Sequence, residues 1–440
     1  MKNGLKLILV LVPIIAIGLT IFETSLSPDQ KETTVRINDE ARKSDSIKDI
    51  AAEENPIKVG ILHSLTGTMA ISEKPVVDAT LLAIEEINDR GGVLGRKLLP
   101  IVMDGKSDWP TFAKNAEYLI TKEKVNVIFG GWTSASRKTM LPIFEQHKSL
   151  LFYPVQYEGL EQSPNIVYTG AAPNQQVIPA VDWANKNIGN TYFLVGSDYV
   201  FPKSANEIIR YRINELGGEI LGEEYRPLGD TNFKEIVDKI LKTKPKVILN
   251  TINGDSNFWF FKELRSQGIT PDIIPTLSFS IGENEIIQLG VDELVGDYAA
   301  WNYFQNLDNP QNAAFVSSFK KKYGEDRVVN DPMESAYTAV NIYFIALSKA
   351  GSTDIDLISK TLSGVVFSSP EGIVGVDPLT HHLYKSVRIG KILSDGQFEL
   401  VSSSELPIKP IPYPGYKSKD EWNLFLNNLY EGWGKKWGSS

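Results

Sequence analysis

Strand and helix patterns alternate along this chain, and the alternation runs twice. The first run opens with the short apolar strand Ile57 to Leu62. A helix start at Ser72 and Pro75 follows. Val77, Leu81, Ile84 and Ile87 recur at helical spacing, and Gly91-Gly92 ends the pattern. Leu98 to Met103 predicts a second strand, Phe112 to Thr121 a helix, and Val125 to Phe129 a third strand. A turn at Gly130-Gly131 then leads into a helix through His147, and Leu150 to Tyr153 is a fourth strand. The second run opens near Pro173. It predicts helices over 176–186, 204–216, 236–241 and 258–267, and strands over 191–196, 247–250 and 273–277. Repeated β-α units of this kind form parallel sheets covered by helices on both faces. Two sets of about five strands imply an α/β protein of two lobes with parallel sheets, and 440 residues exceed what one core normally organises.

The remaining chain is assigned less directly. The helical patterns 310–323 and 332–350 have no strand between them and are expected to pack on an existing lobe. Strand patterns at 364–366, 384–392 and 398–401 follow, and periodicity alone assigns them to neither lobe. Residues 407–416 (PIKPIPYPGY) are extended and proline-rich. Lys417 to Tyr430 then places Trp422, Phe425, Leu426 and Leu429 on one helical face, followed by Trp433 and Trp437. This Pro/aromatic tail, 403–440, reads as a segment wrapping the surface or docking a partner.

At the other end, Lys2 and Lys6 precede an apolar run from Leu7 to Phe22, the form of a secretory signal or signal anchor. No Ala-x-Ala cleavage pattern follows, so the reading is an uncleaved anchor over 1–26 that tethers the protein outside the cytoplasm. Residues 27–55 are polar, mixed in charge and poor in large apolar side chains, which suits a flexible spacer.

Composition removes whole classes of chemistry. The chain has no cysteine, hence no thiolate nucleophile, disulfide or thiolate metal site. Its four histidines lack metal-site spacing, and adjacent His381 and His382 point in different directions. A net charge of −9 opposes a nucleic-acid surface. No Gly-x-Ser-x-Gly, His-Glu-x-x-His or Gly-x-x-x-x-Gly-Lys-Ser/Thr pattern occurs. Gly91-Gly92-x-x-Gly95 follows a helix and precedes a strand, the wrong order for a phosphate loop. No enzyme activity, cofactor or metal is expected.

In open α/β sheets, ligands lie beyond the carboxyl ends of the strands. That rule selects Ser64 and Thr66 after the first strand, Trp132, Thr133 and Ser134 after the third, and Tyr153, Val155 and Gln156 at and after the fourth. The second lobe supplies Asp198 and Tyr199, then Asp255, then Ser278 to Ser280. Hydroxyls, amides and aromatics dominate and cations are few, a lining for a small neutral polar solute. Ser134 stands where a helix starts and is either a ligand hydroxyl or a plain cap.

These loops resemble the type I periplasmic binding proteins, specifically the branch of urea and short-chain amide receptors. The resemblance rests on GILHSLTGTMAISE (60–73), GGWTSASRKTMLPIFE (130–145), LLFYPVQYEGLEQSPNIVYTGAAPNQQ (150–176) and LVGSDYVFPKSAN (194–206). PEGIVGVDPLTHHLYKSVRIG (370–390) and PYPGY (412–416) extend it. It implies two Rossmann-like lobes joined by three crossovers, with 56–175 and 303–365 in one lobe and 176–302 and 366–402 in the other. It also implies a ligand held between them by Ser134, Tyr153, Val155 and Tyr199. Trp132, Val155 and Gln156 follow the urea-binding pattern. The implied activity is solute capture for an ABC importer, with its permease and ATPase as partners. A sensory amide- or amino-acid-binding protein that signals through a partner is the alternative.

Overall fold

The computed structural model describes residues 55–439. The expected anchor, 1–26, and all but the end of the spacer lie outside the described residues. Among those described, no helix is long and apolar enough to cross a membrane.

Five short strands build the first sheet: β1 (Ile57–His63), β2 (Leu98–Asp104), β3 (Val127–Gly130), β4 (Leu150–Tyr153) and β5 (Ile166–Tyr168). They pair in the order β2-β1-β3-β4-β5, and every pairing is parallel. β3, β4 and β5 are buried throughout, which is why they read as unbroken apolar runs rather than alternating ones.

The second sheet takes β6 (Thr191–Ser197), β7 (Glu219–Arg226), β8 (Val247–Thr251), β9 (Thr276–Ser278) and β10 (Tyr298–Trp301). A small antiparallel unit of β11 (Val366–Ser369), β12 (Gly372–Val376) and β13 (Leu383–Tyr384) comes next. The chain then returns as β14 (Arg388–Ile392) and β15 (Phe398–Ser403). The order is β15-β14-β10-β9-β8-β6-β7; β14 and β15 are antiparallel additions to a parallel sheet. The architecture is therefore two α/β lobes, one parallel and one mixed. β7 escaped the sequence reading because it is the sheet edge and carries Glu219, Glu223, Glu224 and Arg226, the charges that keep an edge from pairing further.

Each sheet is packed on both faces. Ala339, Val340, Ile342 and Tyr343 of the helix Asp331–Ala350 join Ile57, Val59, Val127 and Phe152 on one face of the first sheet. Phe315 and Phe319 of the helix Pro310–Tyr323 join Ile128, Leu151 and Met333 on the other. Val374, Val376 and Leu383 belong to the first of these clusters, so the span 366–384 packs with the first sheet. The expected return to the second lobe at 366 thus comes later, at β14. The exposed edge of β11 and β12, with Val366 and Ile373 pointing outward, left too weak an apolar pattern to show this.

The chain passes between the lobes within 168–177, 301–310 and 384–388. One side chain ties all three passages. Asn302 Nδ2 donates to the carbonyls of Gln175 at 3.0 Å and Ser386 at 2.7 Å. Asp331 accepts from the backbone N–H groups of Asn302 and Tyr303, both at 2.9 Å.

The tail does not merely lie on the surface. Its helix Lys419–Gly432 sinks Trp422 and Leu426 into the core shared by Ile208, Ile209 and Ala180. Trp422 Nε1 donates to the Pro414 carbonyl at 3.0 Å.

Candidate functional site

The turn after β3 sets the site. Gly131 takes a positive φ of 79°, and the chain then enters the helix Ser134–His147. Its cap is Thr133, whose Oγ1 accepts from the Ser136 backbone N–H at 3.1 Å. Ser134 is thereby released from capping. Its hydroxyl donates to Glu158 and accepts from Arg137 Nη1 at 3.1 Å.

Behind Ser134 lies a charge network that the sequence reading missed. Arg137 donates to Glu161 at 2.7 Å and to Glu158 at 3.2 Å, and Lys138 donates to Glu161 at 2.9 Å. All four side chains are buried. Two cations against two carboxylates leave no net charge, and such groups are tolerated in a core only when paired like this. Burial alone would raise the Glu161 carboxyl, but Arg137 and Lys138 outweigh it and hold it at about 2. Arg137 also lies over the rings of Tyr153 at 4.7 Å and Tyr157 at 4.4 Å. Tyr168 and His382 stack beneath, 4.1 Å apart, and burial pushes His382 down to about 3, so it is neutral. The available signal was the spacing: Arg137-Lys138 on one helix, and Glu158 and Glu161 three residues apart in the loop that follows β4.

The two lobes meet over this network. Trp132 Nε1 donates to Asn253 Oδ1 at 3.3 Å, from the first lobe to the second. Gln156 Nε2 donates to the Phe279 carbonyl at 2.7 Å and to Ser280 at 3.2 Å, while its Oε1 is buried without a partner. The Tyr153 hydroxyl donates to the Trp132 carbonyl. Tyr199, fully buried at the start of the helix Val200–Glu215, faces Tyr153, Glu158 and Arg137, and burial pushes its phenol well above the usual range. Val155 is buried at the backbone of Gly170, a position with no room for a Cβ. Ser134, Tyr153, Trp132, Val155, Gln156 and Tyr199 therefore converge where the lobes touch.

Besides the capping Thr133, four more expected residues do other work. Asp198 is half-buried, and its carboxylate pairs with Lys203 at 3.4 Å. Asp255 is exposed at the rim, where it accepts from Thr68 of the opposite lobe. Thr66 is exposed and donates to Asp104 at 2.7 Å. Ser64 is buried and structural: its N–H donates to Glu73 at 2.8 Å and its Oγ accepts from the Ser107 N–H at 3.0 Å. In each case a short polar side chain found a local partner, an outcome that strand-end position does not foresee. His63, next to them, contacts Glu73 at 3.1 Å through Nδ1, and its Nε2 is buried without a partner. A surface groove of about 650 Å³ around Gln305, Asn312, Val316, Lys320 and Glu325 shares no residue with this cleft.

A family model described as "Periplasmic binding protein domain" matches residues 57–419. The chain belongs to the periplasmic binding protein family. Membership implies an extracytoplasmic location, and family and fold alike are those of binding proteins. This periplasmic binding protein is 23 % identical over 355 residues to the Leu/Ile/Val-binding protein homolog 6 of Brucella abortus strain 2308, covering 78 % of this chain and 89 % of that protein. A solved solute-binding protein of an ABC transporter from Rhodopseudomonas palustris BisB5, in complex with 3,4-dihydroxybenzoic acid, superposes with a TM-score of 0.74. It is 25 % identical and covers 83 % of this chain and all of that one. A limonene hydroxylase of Geobacillus stearothermophilus is 39 % identical over 124 residues. That match takes in 28 % of this chain and only 23 % of the hydroxylase, and so transfers no activity.

Proposed function

We propose that this protein is the solute-binding component of an ABC importer that captures urea or a short-chain amide by closure of its two lobes. The observation that carries the reading is the self-neutralised network behind Ser134. Arg137 and Lys138 are both occupied by Glu158 and Glu161, so neither cation is available to a carboxylate. A solute with a carboxylate needs an unpaired cation or several free N–H groups. A neutral amide needs only hydroxyls, amides and an enclosing aromatic wall, which Ser134, Gln156, Trp132, Tyr153 and Tyr199 supply. Gln156 Oε1, buried and unpaired, suits an amide N–H donor.

The mechanism is differential contact. Trp132 to Asn253, Gln156 to Phe279 and Thr68 to Asp255 join the lobes only when they are closed. A ligand that adds contacts to both lobes favours that state, and a permease with its ATPase then reads it. The N-terminal segment 1–26 holds the receptor at the membrane.

The test is a thermal-shift and calorimetric titration of the purified protein with urea, acetamide, formamide, leucine and benzoate. A specific ligand at 100 times its Kd adds about 2.7 kcal/mol of stability. The reading predicts that response for urea or a short amide. A response to leucine or benzoate with none to urea refutes it.

A further inference from the structure

The sequence left the aromatic tail without a role, and its last residues end between the lobes. The helix Lys419–Gly432 belongs to the second lobe through Trp422 and Leu426. Beyond it, Trp437 packs 4.7 Å from Tyr430, and its carbonyl accepts from the Val200 backbone N–H at 2.9 Å. Gly438 pairs as an antiparallel bridge with Tyr199, and the Ser439 N–H donates to the Asp198 carbonyl at 2.9 Å. Three consecutive tail residues thus hold Asp198 to Val200, the segment that presents Tyr199 to the cleft.

The same residues also reach the first lobe. Lys138 Nζ lies 5.1 Å from the Trp437 ring centroid while it donates to Glu161. Gly438 is buried against Trp109. A Cβ built there would meet the Trp109 ring at 2.6 Å and Tyr199 Cβ at 2.5 Å, so only glycine fits. Trp109 in turn stands 6.2 Å from the Tyr199 ring. Because the tail is anchored in the second lobe, separating the lobes breaks its contacts with Lys138 and Trp109 and leaves those with Tyr199 intact.

We infer that Trp437 to Ser439 form a latch at the cleft edge, which positions Tyr199 and favours the closed state, so that it governs how long a solute stays bound. A contact present in one of two states shifts the balance toward that state, and the shift falls mainly on dissociation. The solute's identity as urea or a short amide rests on the proposed function; the latch itself does not.

Lobe separation is measured by fluorescence transfer between dyes on the two lobes of the full-length protein, without ligand and with urea. Stopped-flow dissociation of urea accompanies it. Trp437→Ala and Gly438→Ala should shift the ligand-free population toward the open state and speed urea release by roughly tenfold, with association changed much less. Trp437→Phe, which keeps a ring near Lys138, should recover most of the slow release. Hydrogen exchange at the Tyr199 to Phe201 amides should rise in both disruptive variants. Faster exchange with an unchanged open population and unchanged release would make the tail purely structural and overturn the latch. If the wild-type protein binds no urea, the proposed solute fails, and the ligand-free open population still decides the latch.

Discussion

Ser134 shows how one residue's role depends on its neighbour. With Thr133 as the cap, the Ser134 hydroxyl is left to face Glu158 and Arg137 in a buried setting. Ser134→Ala is therefore expected to leave the helix intact while weakening solute binding about tenfold, the effect of one net hydrogen bond of about 1 kcal/mol or slightly more. Calorimetric titration with the responding amide measures it, and unchanged affinity removes Ser134 from the site. Glu158→Gln acts differently. It removes a carboxylate from a buried network and leaves Arg137 and Lys138 against Glu161 alone. A loss of about 3 kcal/mol or more is expected in chemical denaturation of the ligand-free protein, the usual result of breaking a buried pair. Glu158 could be suspected from its spacing to Glu161, whereas its partners across a 21-residue separation could not.

At the scale of elements, Pro75 illustrates a helix interrupted for a purpose. The sequence placed it at a helix start, but the helix Ala70–Asp89 begins a turn earlier and holds Pro75 inside. Proline has no N–H, so the carbonyl of Ile71 loses its helical donor. That carbonyl accepts instead from Asn284 at 2.9 Å and Gln288 at 3.3 Å, on the helix Glu283–Leu289 of the other lobe. Two donors from one lobe thus meet a carbonyl that proline freed in the other.

The same helix carries a titrating group. Burial pushes the Glu283 carboxyl up to about 8, against the Gln305 backbone N–H that donates to it and with Glu285 and Asp331 adding to the rise. A folded pKa above the unfolded one means that the native state binds the proton more tightly. This contribution is complete below the ordinary carboxylate range and is lost as pH rises through about 8. Glu283→Gln should match the parent's stability near pH 4 and exceed it at pH 8, as read from denaturation midpoints at the two pH values. The opposite ordering would show that Glu283 is ionised in the native state.

For the molecule as a whole, the hinge decides behaviour. Asn302 ties the three interlobe passages through the carbonyls of Gln175 and Ser386. Asn302→Ala strands two carbonyls and should cost about 2 kcal/mol or more of stability. It should also broaden the distribution of lobe separations in solution scattering. A narrow, unchanged distribution would place the hinge constraint elsewhere.

The amino-acid sequence by itself determined the lobes. Apolar strands of buried type, helical periodicity and glycine stops are local signals, and each is dictated by a few neighbouring residues. They therefore gave the helix Pro310–Tyr323 its bounds and β4 its four buried residues. The clustering of Trp132, Ser134, Tyr153, Val155, Gln156 and Tyr199 was also legible, because strand ends in an α/β sheet must gather at one edge. Tertiary structure alone decided the rest. Polar side chains choose among partners brought from distant segments, so position could not reveal that Asp198 would take Lys203, that Thr66 would take Asp104, or that Arg137 would be buried between two glutamates. Nor could any local pattern carry the tail back to Tyr199, since a contact spanning 239 positions from Tyr199 to Gly438 exists only once the second lobe is folded.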